Sequence, residues 1–122
     1  MREARPIILV VDDDGQVLEG TSEIVAALGY EVISARSGTE ALSIIRNNAT
    51  IDLLFTDISM PGMDGWELAR RSKQLRPELK VMYTTGFSFA PVPETSMLGY
   101  GPLLPKPWRP AQLHRLLQTI FR

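Results

Sequence analysis

Ile7-Ile8-Leu9-Val10-Val11-Asp12-Asp13-Asp14 runs from five unbroken apolar residues straight into three aspartates. An apolar run with no polar alternation is how a strand buried on both faces reads, as at the centre of a parallel sheet. The run is far too short to cross a bilayer and lacks the apolar stretch of a signal peptide, so the chain reads as cytoplasmic. Val17, Leu18, Thr21, Ile24, Val25 and Leu28 follow at helical spacing, and Gly29 stands where a helix ends. A buried strand feeding an amphipathic helix is the opening unit of a doubly wound fold.

The unit repeats along the chain. Val32 to Ala35 forms a second strand, and Ser37 with Glu40 makes a capping box for a helix carrying Ala41, Leu42, Ile44 and Ile45. Asp52 to Thr56 is the third strand. The Pro61-Gly62-Met63-Asp64-Gly65 turn leads into a helix from about Trp66 to Leu75, stopped near Pro77. Leu79 to Thr84 is the fourth strand. From Ser88 to Pro102 the pattern fails, because Pro91, Pro93 and Pro102 with Gly99 and Gly101 leave room for at most a turn or two of helix. Leu103 and Leu104 form a short fifth strand, and Leu113, Leu116, Leu117, Ile120 and Phe121 make the apolar stripe of a terminal helix. The expected fold is α/β, a doubly wound, flavodoxin-like parallel sheet of five strands in the common order 2-1-3-4-5, with an irregular or shortened fourth helix.

Composition narrows the chemistry. A chain of 122 residues, 44% hydrophobic and 22% charged, fits a single domain over 1–122. Thirteen Lys and Arg against fourteen Asp and Glu give a net charge of -1, which offers no global basic field for gripping nucleic acid. No direct nucleic-acid or membrane partner is expected. With no cysteine and one histidine, His114, there is no disulfide framework, thiol nucleophile or multi-histidine metal site.

In sheets of this kind ligands bind beyond the carboxyl ends of the strands, where the strand order reverses. Strand one ends in Asp12-Asp13-Asp14, strand three in Thr56-Asp57, strand four in Thr84-Thr85-Gly86 and strand five in Pro105-Lys106-Pro107. Carboxylates crowded at one edge repel unless a cation holds them, and oxygen ligands without imidazole or thiolate suit Mg²⁺. A carboxylate beside Mg²⁺ and a lysine is arranged to attack phosphorus, and Asp57, at the central strand end, is the candidate nucleophile.

Val10-Val11-Asp12-Asp13, the run from Phe55 to Gly65, the Thr85-Gly86 pair and Lys106-Pro107 resemble, in order, the four motifs of the receiver domain of two-component response regulators. The resemblance covers essentially the whole chain, and the 45 residues from Asp12 to Asp57 fit the two helices and one strand between them. It implies that Asp57 accepts a phosphoryl group from a phosphohistidine of a sensor histidine kinase or histidine phosphotransfer protein. It implies that Asp13, Asp57 and the Ser59 carbonyl bind Mg²⁺ with Asp12 assisting, that Thr85 hydrogen-bonds the phosphoryl oxygen, and that Lys106 pairs with it. Such a domain is a phosphoacceptor that switches binding of a downstream target, not a conventional enzyme. The family commonly has a cis bond at the lysine-proline step, so one is expected at Lys106-Pro107.

Several of these residues also have plain structural readings. Asp14 and Asp64 stand where N-caps belong. Thr84 competes with Thr85, and the small Gly86 favours Thr85. Trp66 and Trp108 read as packing residues at helix starts, while His114, Arg109, Arg115 and Arg122 read as solvated helix residues. Three positions depart from the family pattern or tune it. Leu103 replaces the usual switch aromatic, Phe87 is expected to shield an acyl phosphate and slow its hydrolysis, and the irregular 88–102 segment resembles receivers of hybrid sensor kinases. Little dimerisation through that face is expected, leaving a monomer. Two alternatives remain: a small haloacid-dehalogenase-like phosphohydrolase, which Val10 to Gly15 also resembles with Asp12 as nucleophile and Asp14 as acid, and a phosphorylation-independent interaction module.

Overall fold

The computed structural model describes residues 5–86 and 100–122. In chain order these form β1 (Ile7–Val11), α1 (Gly15–Ala27), β2 (Glu31–Ala35), α2 (Gly38–Asn47), β3 (Leu53–Asp57), α3 (Gly65–Leu75), β4 (Lys80–Thr85), β5 (Leu103–Pro105) and α4 (Pro110–Ile120). All neighbouring strands run parallel, in the order β2-β1-β3-β4-β5. This is the doubly wound flavodoxin-like sheet that the apolar runs predict. Of the segment 88–102, where an irregular fourth helix is expected, residues 88–99 lie outside the described residues, as does Phe87.

Strand side chains alternate between faces, and two apolar layers result. Leu9, Val11, Leu54, Val81 and Tyr83 pack with Leu42, Ile45 and Leu68 beneath α2 and α3. Ile8, Val10, Leu53, Phe55 and Met82 pack with Leu18, Val25, Leu113 and Leu117 beneath α1 and α4. The two middle strands β1 and β3 contribute to both layers, which is why their sequences show no polar break.

The helix starts follow from local chemistry. Asp14 accepts from the Gln16 and Val17 amides at 3.0 and 3.2 Å, Ser37 from the Glu40 amide at 3.1 Å, and Asp64 from the Glu67 amide at 2.9 Å. Each satisfies donors that a helix N-terminus leaves open. Glu40 does not close the expected box on Ser37. Its carboxylate accepts from the Arg36 amide at 2.8 Å, one residue earlier.

Strand bounds differ from expectation by a residue: β2 starts at Glu31, not Val32, and β5 ends at Pro105, not Leu104. β3 runs over Leu53–Asp57, not 52–56, and β4 over Lys80–Thr85, not 79–84. Asp52 lies just before the strand, and its carboxylate accepts from the Ile7 amide at 2.8 Å. Leu79 lies in the turn closed by its own amide on the Arg76 carbonyl at 3.0 Å.

Candidate functional site

The register of β1 on β3 ends with Val11 opposite Thr56, so Asp12, just past β1, and Asp57, the last residue of β3, come next on neighbouring strands. β5 pairs Pro105 with Thr85, and Lys106 follows immediately, its amide bonded to the Thr85 carbonyl at 2.9 Å. The Lys106 Nζ then reaches back across the strand ends to Asp12 Oδ2 at 3.0 Å and Asp57 Oδ2 at 3.2 Å. The other oxygen of each carboxylate is held by backbone. Asp12 Oδ1 accepts from the Asp14 amide at 2.9 Å, and Asp57 Oδ1 from the Ser59 amide at 3.0 Å. The Lys106-Pro107 bond is cis.

Asp12 and Asp57 are buried, at 4% and 7% exposure, while Asp13 is exposed beside them. Burial pushes the Asp57 carboxyl above its ordinary range, and Asp12 adds to the rise, against the pull of Lys106 and the Ser59 amide. Burial also opposes the charge on Lys106, but the two carboxylates outweigh it and hold the ammonium above its usual range. The pocket therefore has two buried carboxylates and one ammonium, an excess of negative charge. Carboxylate oxygens of Asp12, Asp13 and Asp57 lie within 4.8 Å of one another. Hard oxygen donors with no thiolate or imidazole among them are the donor set that suits Mg²⁺.

Both neighbouring threonines are buried. Thr84 is buried and its hydroxyl donates to the Leu104 carbonyl at 2.7 Å, locking β4 to β5. Thr85 is equally buried, at 4% exposure, at the strand end beside Lys106. Gly86 does not owe its place to crowding, since a Cβ there would lie at an ordinary 3.7 Å from Lys106 Cδ.

Gly65, which closes both the turn and the Phe55–Gly65 motif in sequence, has a tighter packing role in the structure. Its amide donates to the Ile58 carbonyl at 2.8 Å, drawing the start of α3 against the strand end. A Cβ at Gly65 would overlap the Asp57 carbonyl oxygen and lie 2.8 Å from Ile58 Cα. The glycine thus sets how closely α3 approaches Asp57. His114 also differs from expectation: it is half-buried, and its Nδ1 is sealed from solvent without a hydrogen-bond partner. Trp66 packs on Tyr83 at 4.5 Å between ring centroids, and Trp108 on Phe55 at 6.3 Å, both as packing residues. Leu103 pairs in register with Tyr83 and is partly buried against the same apolar layer.

A five-stranded parallel α/β sheet with paired aspartates and a lysine at its switch point defines a flavodoxin-like domain with an acidic, cation-seeking pocket. The profile of the response regulator receiver domain matches residues 8–118, and the chain belongs to that family. Response regulator receiver protein CpdR of Brucella abortus is 38% identical over 81 residues, which cover 66% of this chain and 67% of that protein. Sensor kinase CckA of the same organism is 33% identical over 111 residues, covering 87% of this chain but only 11% of the kinase. Among solved structures, response regulator TrrA from Thermotoga maritima in complex with Mg²⁺-BeF superposes with a TM-score of 0.85 at 28% identity, covering 94% of this chain and 98% of that one. The chain is thus a two-component receiver domain. Among the described residues no helix is long and apolar enough to cross a membrane.

Proposed function

We propose that residues 1–122 act as one phosphoacceptor unit, in which Asp57 takes a phosphoryl group from a phosphohistidine of a sensor histidine kinase or histidine phosphotransfer protein and thereby switches binding of a downstream target. The observation that carries this reading is Lys106 Nζ seated on both Asp57 and Asp12, at 3.2 and 3.0 Å. Attack forms a bond from an Asp57 carboxylate oxygen to phosphorus as the phosphorus-nitrogen bond breaks, and the imidazole nitrogen leaves with the electron pair. Lys106 stays beside the acceptor and neutralises charge on the transferring oxygens. Thr85, buried at the strand end beside Lys106, supplies the hydroxyl for a phosphoryl oxygen.

Asp12, Asp13, Asp57 and the Ser59 carbonyl are the residues that would hold Mg²⁺. When bound, the ion supplies positive charge to the phosphoryl oxygens. Asp12 is engaged by Lys106 and by the Asp14 amide, which suits an assisting role. The similarity to CckA supports a donor of the sensor-kinase type, and the TrrA complex supports Mg²⁺. Incubation with acetyl phosphate tests the reading: labelling is expected with Mg²⁺ and lost on chelation, whereas labelling indifferent to Mg²⁺ contradicts the assigned ligands.

A further inference from the structure

A concentration of positive charge lies outside the aspartate pocket, where phosphoryl chemistry does not use it. Between α2 and α3 runs a groove of about 290 Å³, lined by Leu42, Arg46, Arg70, Arg71, Gln74 and Leu75. Arg46 ends α2 and is exposed, and among the described residues no carboxylate pairs with it. Arg70 and Arg71 leave α3 with about half of each side chain exposed, both held by Glu67, at 2.7 and 2.6 Å. Glu67 offsets one of these charges and fixes two guanidinium forks, so a ligand would lose less rotamer freedom in ordering them.

One exposed apolar residue lies in the same groove. Leu75 at 43% and Tyr100 at 38% are the exposed large hydrophobic residues among those described. Leu75 lies on the groove, whereas Tyr100 lines a separate groove with Lys73, Lys80 and Pro102. Arginine is among the residue types that anchor protein interfaces, and here three arginines flank the exposed Leu75. Nucleic acid would meet a chain of net charge -1 with no extended basic track. A groove between two helices with apolar and cationic sides instead matches an amphipathic helix whose polar flank is acidic.

We propose that the α2–α3 groove docks an acidic amphipathic helix of a partner protein, with Arg46, Arg70 and Arg71 meeting its carboxylates and Leu75 its apolar stripe. The test is fluorescence anisotropy of the full chain with a labelled synthetic helix carrying a leucine stripe flanked by glutamates. Its glutamine counterpart and a labelled single-stranded oligonucleotide are the controls. Saturable binding of the glutamate peptide is expected, weakening with salt. The glutamine peptide, and the Arg46→Glu/Arg71→Glu variant with the glutamate peptide, are expected to bind at least about tenfold more weakly. Leu75→Ser is expected to weaken binding without altering its salt dependence. These exposed substitutions leave the fold in place, checked by circular dichroism, and leave Asp57 labelling by acetyl phosphate unchanged, so failure of this surface and failure of the phosphoacceptor reading are told apart. No binding, equal binding of the glutamine peptide, preference for the oligonucleotide, or indifference to the charge reversal overturns the proposal.

Discussion

Lys106 is the residue on which the pocket's electrostatics turn, since it stands 3.0 and 3.2 Å from two buried carboxylates. Lys106→Met leaves those carboxylates facing one another without a cation. Removing one partner of a largely buried pair is costly, and here, with the lysine side chain 23% exposed, a loss of roughly 1–3 kcal/mol is expected in urea unfolding without Mg²⁺. Asp57 works in the opposite sense. Its folded pKa is raised above the ordinary value by burial and by Asp12, so between the two values the native state binds more protons than the unfolded chain. Stability therefore falls as pH rises through that window. Asp57→Asn is expected to raise the Tm of the metal-free protein by a few degrees at neutral pH and to flatten the pH dependence just above the ordinary aspartate range. A lower Tm for Asp57→Asn in calorimetry would contradict this balance.

The secondary elements were legible wherever the signal was local. Ser37, Asp14 and Asp64 were readable as caps because a side chain reaching an amide two or three residues ahead needs no tertiary partner. Ser37→Ala is expected to cost about 1 kcal/mol, seen as a shifted midpoint with unchanged slope in urea. Features set by distant residues were not legible. At the start of β3, Asp52 meets Ile7, 45 positions away in sequence. The need for glycine at 65 depends on the Asp57 carbonyl lying where a Cβ would be. Gly65→Ala is expected to destabilise by about 1–3 kcal/mol as α3 is pushed off the strand end, and to weaken Mg²⁺ binding with it. An alanine variant of unchanged stability and unchanged Mg²⁺ affinity would show that α3 is free to give way.

Across the whole molecule, a net charge of -1 conceals a segregation that only the topology exposes. Aspartates 12, 13, 14, 57 and 64 lie at or beyond the carboxyl ends of β1 and β3, and Asp52 alone sits at the other end of the sheet. Their convergence could be read from the sequence because apolar runs gave the strands and the common strand order brought β1 beside β3. The link from Lys106 to Asp12 as well as Asp57, and the arginine groove between α2 and α3, needed the packed structure. Mg²⁺ binding to this acidic end is expected to raise Tm with metal concentration, because a ligand held only by the native state stabilises it by mass action. The most direct test of the central claim is intact-mass measurement with peptide mapping after incubation with acetyl phosphate and Mg²⁺. One acid-stable, base-labile phosphoryl group per chain is expected, mapping to Asp57 and missing in Asp57→Asn. Labelling at Asp12, or continuous turnover of a phosphomonoester with no label retained, would contradict it.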